Sequence, residues 1–186
     1  MDRRGFMPIY VAMLRGINVG GAKIVKMENL RALFEALGFS RVRSYVQSGN
    51  VIFETSRVNS TRLSRAIGKR ILSDYGFSVP LILRTSGEIN KIVSDNPFLK
   101  ESGIDRSKLH VTFLSELPAK AAMGKLDALK GDVDQFRIKN REIYLYCPSG
   151  YGRTKLSNSS FERLLSVEAT TRNWRTVKML AGMSSE

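Results

Sequence analysis

The chain has 186 residues, 42% apolar and 25% charged, which suits one large or two small globular domains and argues against extended disorder. Its one cysteine, Cys147, excludes an intramolecular disulfide, and with the single histidine, His110, it leaves too few ligands for a structural zinc ion. Thirty Lys and Arg against 17 Asp and Glu give a net charge of +13; residues 1–84 carry 14 basic and 5 acidic side chains, the remainder 16 and 12. An excess of this size either serves solubility alone or draws an anionic partner by long-range attraction.

The basic residues 1–8 are followed by a short apolar run, Ile9 to Leu14, that ends at Arg15. That run is too short for a signal-peptide core, and no stretch approaches the ~18–20 apolar residues of a membrane span. The expectation is a soluble, cytoplasmic protein with no membrane partner. The same run predicts a buried strand, with a Gly-rich loop over residues 15–23. Leu30, Leu33, Phe34 and Leu37 recur at helical spacing, and Gly38 is a stop signal. Val42, Tyr45 and Val46, then Val51, Ile52 and Phe53, predict two strands joined across Ser48-Gly49-Asn50. Leu63, Ala66, Ile67 and Ile71 outline a second helix ending near Gly76, and residues 79–83 a fourth strand. The order βαββαβ is that of a ferredoxin-like unit.

A short helix follows from Ser86, stopped by Asp95-Asn96-Pro97-Phe98. The polar stretch over residues 97–108 suggests a boundary, dividing the chain into 1–98 and 99–186. Beyond it, residues 109–114 predict a strand and 119–129 a helix. Phe136 to Ile138 and Ile143 to Tyr146 predict a hairpin across Asn140-Arg141, and residues 161–165 and 172–180 two further helices. The fold class expected is α+β, with two ferredoxin-like halves in tandem, βαββαβ and βαββα, and a C-terminal helical extension. The repeat is one of topology, without evident residue-level similarity.

Four segments draw, in different mixtures, on glycine and on amide, hydroxyl and cationic side chains. In a βαββαβ unit strands 1 and 2 are parallel with strand 3 between them. The Arg15-to-Gly21 loop and the Gln47-to-Asn50 turn should therefore share one sheet edge. There Arg15, Asn18, Gly20, Gly21, Gln47 and Asn50 either cradle an anion with backbone N–H groups and a forked charge, or simply build turns. The loop lacks both the Walker and the dinucleotide spacing. In the second half, residues 148–155 set Tyr151 and Lys155 among glycines and hydroxyls. Arg172, Asn173 and Trp174 follow Thr170 and Thr171, either of which is placed to cap the last helix. Trp174 is a stacking platform for a base or an anchor onto the core. Functional contact requires these turns to form one positive rim. Arg62, Arg65, Lys69 and Arg70 add a basic stripe on the second helix, a backbone-tracking surface or a solvated face. His110 and Cys147 read as structural residues, and no catalytic residues, metal or cofactor are assigned.

Leu14-Arg15-Gly16-Ile17-Asn18-Val19-Gly20-Gly21, Gln47-Ser48-Gly49-Asn50-Val51-Ile52-Phe53, Asn96-Pro97-Phe98 and Thr170-Thr171-Arg172-Asn173-Trp174 resemble the signatures of the bacterial family called domain of unknown function 1697. The resemblance covers roughly residues 8–181. It implies a tandem ferredoxin-like fold and a bacterial cytosolic setting, and it brings no activity, cofactor or catalytic residue. From the residues, the expected function is non-catalytic binding of an anionic partner, RNA or single-stranded DNA ahead of a nucleotide. The alternative is an enzyme acting on a small phosphorylated or carboxylated metabolite. The oligomeric state is not legible.

Overall fold

The computed structural model describes residues 7–56 and 59–186. The basic residues 1–6, weighed above as a leader, lie outside the described residues. The chain packs as two compact units, Met1–Asn90 with Met179–Glu186, and Lys91–Lys178. The division falls ahead of the polar stretch 97–108, and the C-terminal residues return to the first unit.

In the first unit, β1 (Ile9–Leu14), α1 (Met27–Ala36), β2 (Ser40–Tyr45), β3 (Asn50–Glu54), α2 (Ser60–Tyr75) and β4 (Leu81–Thr85) follow the expected order. The sheet runs β2-β3-β1-β4 with every neighbouring pair antiparallel. Alternation along β1 sends Tyr10, Ala12 and Leu14 into the core built from Leu30, Leu33 and Phe34 of α1 and Leu63, Ile67 and Ile71 of α2. Val11 and Met13 lie on the opposite face and are also buried, which is why β1 reads as an unbroken apolar run. Phe53 anchors the helix-side core, stacked on Phe39 at 4.6 Å and edge-on to Phe34 at 5.2 Å.

Local chemistry sets the ends of α2. The Asn59 side chain accepts the Arg62 N–H at 2.9 Å, and Gly76, at φ 75°, closes the helix with its N–H on the Leu72 carbonyl. The helix α3 (Ser86–Ser94) leaves β4 through a capping box. Thr85 N–H donates to the Glu88 carboxylate at 2.8 Å, and Glu88 N–H donates to the Thr85 hydroxyl at 3.2 Å. The chain end is fastened to the same unit. Arg43 donates to the Met183 carbonyl and to the Glu186 carboxylate, and the Ser86 hydroxyl donates to the Ser184 carbonyl at 2.7 Å.

The second unit holds β5 (Leu109–Leu114), α4 (Lys120–Met123), β6 (Gln135–Lys139), β7 (Glu142–Tyr146), α5 (Asn158–Leu165) and β8 (Ala169–Asn173), with sheet order β6-β7-β5-β8. Two of its elements differ from the sequence expectation. The helix expected over 119–129 is one turn of α-helix followed by a 3-10 segment, Gly124–Leu129, with glycine at the change. The helix expected from Arg172 begins instead at Trp174, as α6 (Trp174–Ser184). The residues before it form β8, so the second half is a complete βαββαβ. Thr170 and Thr171 are β-branched, pair with β5, and carry no cap. The cap is Asn173, whose Oδ1 accepts the Thr176 N–H at 2.8 Å.

Strand register exposes a residue-level repeat that the linear sequence conceals. Tyr10, Val11, Ala12, Met13 and Leu14 pair with Thr85, Arg84, Leu83, Ile82 and Leu81. His110, Val111, Thr112, Phe113 and Leu114 pair with Asn173, Arg172, Thr171, Thr170 and Ala169 in the same order. Val11 and Val111, Leu14 and Leu114, and Arg84 and Arg172 therefore occupy matching places. Both arginines are buried and point away from their unit's helix-side core.

Candidate functional site

The Arg15 loop and the Gln47 turn meet at one edge of the first sheet, as the topology requires. Leu14 N–H donates to the Gly49 carbonyl at 2.9 Å, and Asn18 Nδ2 donates to the Gln47 carbonyl at 2.8 Å. The contact is a packed one, because the Leu14 and Ile17 side chains occupy the space that a Cβ on Gly49 would need. Gly20 (φ 60°) and Gly21 (φ 76°) form the two-residue turn of a minimal hairpin, with Val19 bridged to Ala22. Positive φ at both central positions is the type I′ requirement, which glycine meets without strain.

Most polar atoms of these loops serve the loops themselves. Asn18 takes a left-handed φ of 55° and acts as a staple: Nδ2 donates to Val25 O at 2.9 Å as well as to Gln47 O, and Oδ1 accepts the Val25 N–H at 2.8 Å. Asn50 is fully buried, and its Nδ2 donates to Tyr45 O at 3.1 Å and to the Ser48 hydroxyl at 3.0 Å. Arg15 is half-buried, with its backbone N–H on the Pro80 carbonyl at 3.0 Å. Gln47, Gly20 and Gly21 are exposed.

The remaining sequence candidates belong to the second unit. Arg172 is buried, donates to the Thr170 hydroxyl at 2.8 Å and to its neighbour's carbonyl at 3.0 Å, and burial pushes its guanidinium pKa down to about 10. Trp174 is buried as well, in the manner of an anchor. Asn173 is exposed but its Oδ1 caps α6. Lys155 is exposed and pairs with no acid among the described residues. Tyr151 is half-buried and stacks on His110 with ring centroids 4.9 Å apart, so one of its faces is already covered.

The α2 stripe resolves into two kinds of cation. Arg70 is paired with Asp74 through Nε contacts of 2.8 and 2.9 Å. Arg62, Arg65 and Lys69 are exposed and unpaired among the described residues. At 3.6 residues per turn they lie within about 60° of arc on the helix surface.

Neither residue noted as a nucleophile or base in other proteins is poised for that role. Burial pushes the Cys147 thiol up to about 11, which keeps it protonated at neutral pH. Burial also pulls His110 below its ordinary 6.5, against a weaker opposing hydrogen bond donated by its Nδ1 to the Lys108 carbonyl. The folded chain therefore binds this proton less readily than the unfolded chain, and stability falls as pH drops below 6.5. His110→Gln should flatten that limb. Melting temperatures measured across this range should show a shallower decline than in the parent, and equal declines would contradict the assignment. Among the described residues no three His, Cys, Asp or Glu side chains converge as metal ligands.

These observations define a tandem ferredoxin-like α+β protein whose loops are internally bonded and whose free charge lies on helix and loop surfaces. The chain belongs to the family described as "Protein of unknown function (DUF1697)", whose model matches residues 7–144. It is similar in structure to the conserved bacterial protein SP0830 from Streptococcus pneumoniae, with a TM-score of 0.78 at 22% identity over 96% of this chain and 99% of that one. At that identity the likeness shows the fold. No curated protein matches the sequence.

The four motifs that carry the family resemblance now have local roles in the fold. They supply the type I′ turn and the Asn18 staple, the close approach at Gly49, the Asn96 cap accepting Phe98 N–H at 3.1 Å, and the strand β8 with its Asn173 cap. No helix among the described residues is long and apolar enough to cross a membrane.

Proposed function

We propose that the protein binds the phosphate backbone of nucleic acid without catalysis and without reading sequence. One observation carries this: Arg62, Arg65 and Lys69 present three unpaired charges along one exposed face of α2. Cations held on a helix at regular spacing suit a repeating phosphate chain, and each contact releases condensed counterions. Exposed Arg153 and Lys155 offer further charge on the second unit. With Trp174 buried and one face of Tyr151 covered by His110, little aromatic surface is left among the sequence candidates for a base, which favours backbone contact over base recognition.

The test is fluorescence anisotropy of a labelled single-stranded RNA in low salt. The triple variant Arg62→Ala, Arg65→Ala, Lys69→Ala should bind at least tenfold more weakly while melting within a few degrees of the parent, since none of the three contributes to the core. Undiminished binding by the folded variant would remove the proposal.

A further inference from the structure

The sequence offered no residue of β6 as a ligand contact, yet a charged groove lies beside that strand. We propose that this groove, between the Asn96-Pro97-Phe98 turn and β6, is a binding site for a small phosphorylated metabolite. It is a cavity of about 410 Å³ whose walls include Asp95, Pro97, Lys100, Arg137 and Lys139. That volume lies in the range of small-molecule sites, roughly 300–1,000 Å³.

The cations are placed by the fold. The Asn96 side chain caps the 3-10 turn Pro97–Lys100, which buries Phe98 and leaves Lys100 exposed at its end. The Arg137 guanidinium lies over the buried Phe98 ring, 5.0 Å from its centroid, and donates to the Phe136 carbonyl at 3.0 Å. Its flat fork is thus held in one orientation before any ligand arrives, which lowers the entropic cost of binding an oxyanion. Its contact with Glu101 is long, at 3.5 Å, and exposed, so little is given up when a closer anion takes that place. Lys139, two residues along the same strand, pairs with Asp95 at 2.9 Å. Lys100 forms no close ion pair among the described residues and acts on Asp95 only at longer range.

Three cations therefore face the groove against one lining carboxylate, an excess of two positive charges. A guanidinium fork flanked by two ammonium groups complements a tetrahedral dianion better than a planar monoanion. This selects a phosphate monoester over a simple carboxylate. The site stands on different residues and a different unit from the α2 face, so either proposal can fail alone.

The experiment is a ³¹P NMR titration of the full chain with inorganic phosphate and with glycerol phosphate, alongside acetate followed by protein chemical shifts. The parent should give a saturable shift with both phosphates and at least tenfold weaker binding of acetate. Lys100→Gln with Arg137→Gln should weaken phosphate binding at least tenfold. Asp95→Asn, which removes the competing carboxylate, should tighten it severalfold, a gain that damaged folding cannot produce. The Arg62, Arg65, Lys69 triple variant should bind phosphate as the parent does. A shift that never saturates, an Asp95→Asn variant that binds no tighter, or a loss that follows the α2 charges would each overturn the proposal.

Discussion

Replacing Gly49 by alanine should lower stability by about 2–5 kcal/mol, the largest loss expected from any single methyl group in the first unit. Two penalties act together. Gly49 has φ 77°, and a side chain in the left-handed region costs about 1–2 kcal/mol. Its added Cβ would stand 2.8 Å from Ile17 Cδ1 and 2.9 Å from Leu14 Cβ, inside van der Waals contact. Ile17 could turn its terminal methyl aside, but Leu14 Cβ is fixed to a central strand and both residues are buried. Overpacking of this kind adds about 1–3 kcal/mol. Gly20 separates the two effects, since it has φ 60° but meets nothing within 4 Å. Gly20→Ala should therefore cost only the conformational part, about 1–2 kcal/mol. Chemical denaturation followed by circular dichroism compares the two, and equal losses would mean the packed contact contributes nothing.

Asn18→Ala should cost about 2–4 kcal/mol and leave polyanion binding by the folded protein within about twofold of the parent. Three hydrogen bonds are lost at once, to Val25 O, Gln47 O and Val25 N–H, at about 0.5–1.5 kcal/mol net each. The left-handed φ of 55° adds to this, because asparagine tolerates it better than alanine does. Asn18→Gly relieves the backbone strain without restoring any bond, and should recover about 1 kcal/mol of the loss. Normal stability with weakened binding would instead make Asn18 a ligand contact and reverse its assignment as a staple.

The first half of the fold is legible because its signals are local. The β1 run, the Ser48-Gly49-Asn50 turn, the α2 periodicity and Gly76 each act within a few residues, and the order of these elements dictates which loops share an edge. The eighth strand is hidden for an equally local reason. Thr170 and Thr171 suit a helix cap and an edge strand alike, and only pairing with β5 decides between them. Nothing local marks Arg84 as buried, and Arg172 reads as a candidate anion contact at a helix start. It is the register opposite Val11 and Val111 that puts them on a buried face. The glycine and asparagine loops were ambiguous in principle, since turn chemistry and anion chemistry use the same residues. Val19-Gly20-Gly21-Ala22 carried a hairpin signal that favours the turn. Lys100 and Arg137 come together only in the folded second unit, so no motif could have announced their groove.

The salt dependence of RNA affinity tests the α2 face most directly, because it separates placed charge from total charge. A plot of log K against log salt should be linear for the parent, and the slope should flatten by about 2 when Arg62, Arg65 and Lys69 become alanine, at ~0.7 per phosphate contact on a single strand. A control with Arg106, Lys120 and Lys125, all exposed on the second unit, changed to alanine carries the same net charge and should keep the parent slope. Equal flattening in the two triple variants would show that only bulk charge attracts the RNA and that α2 presents no binding face.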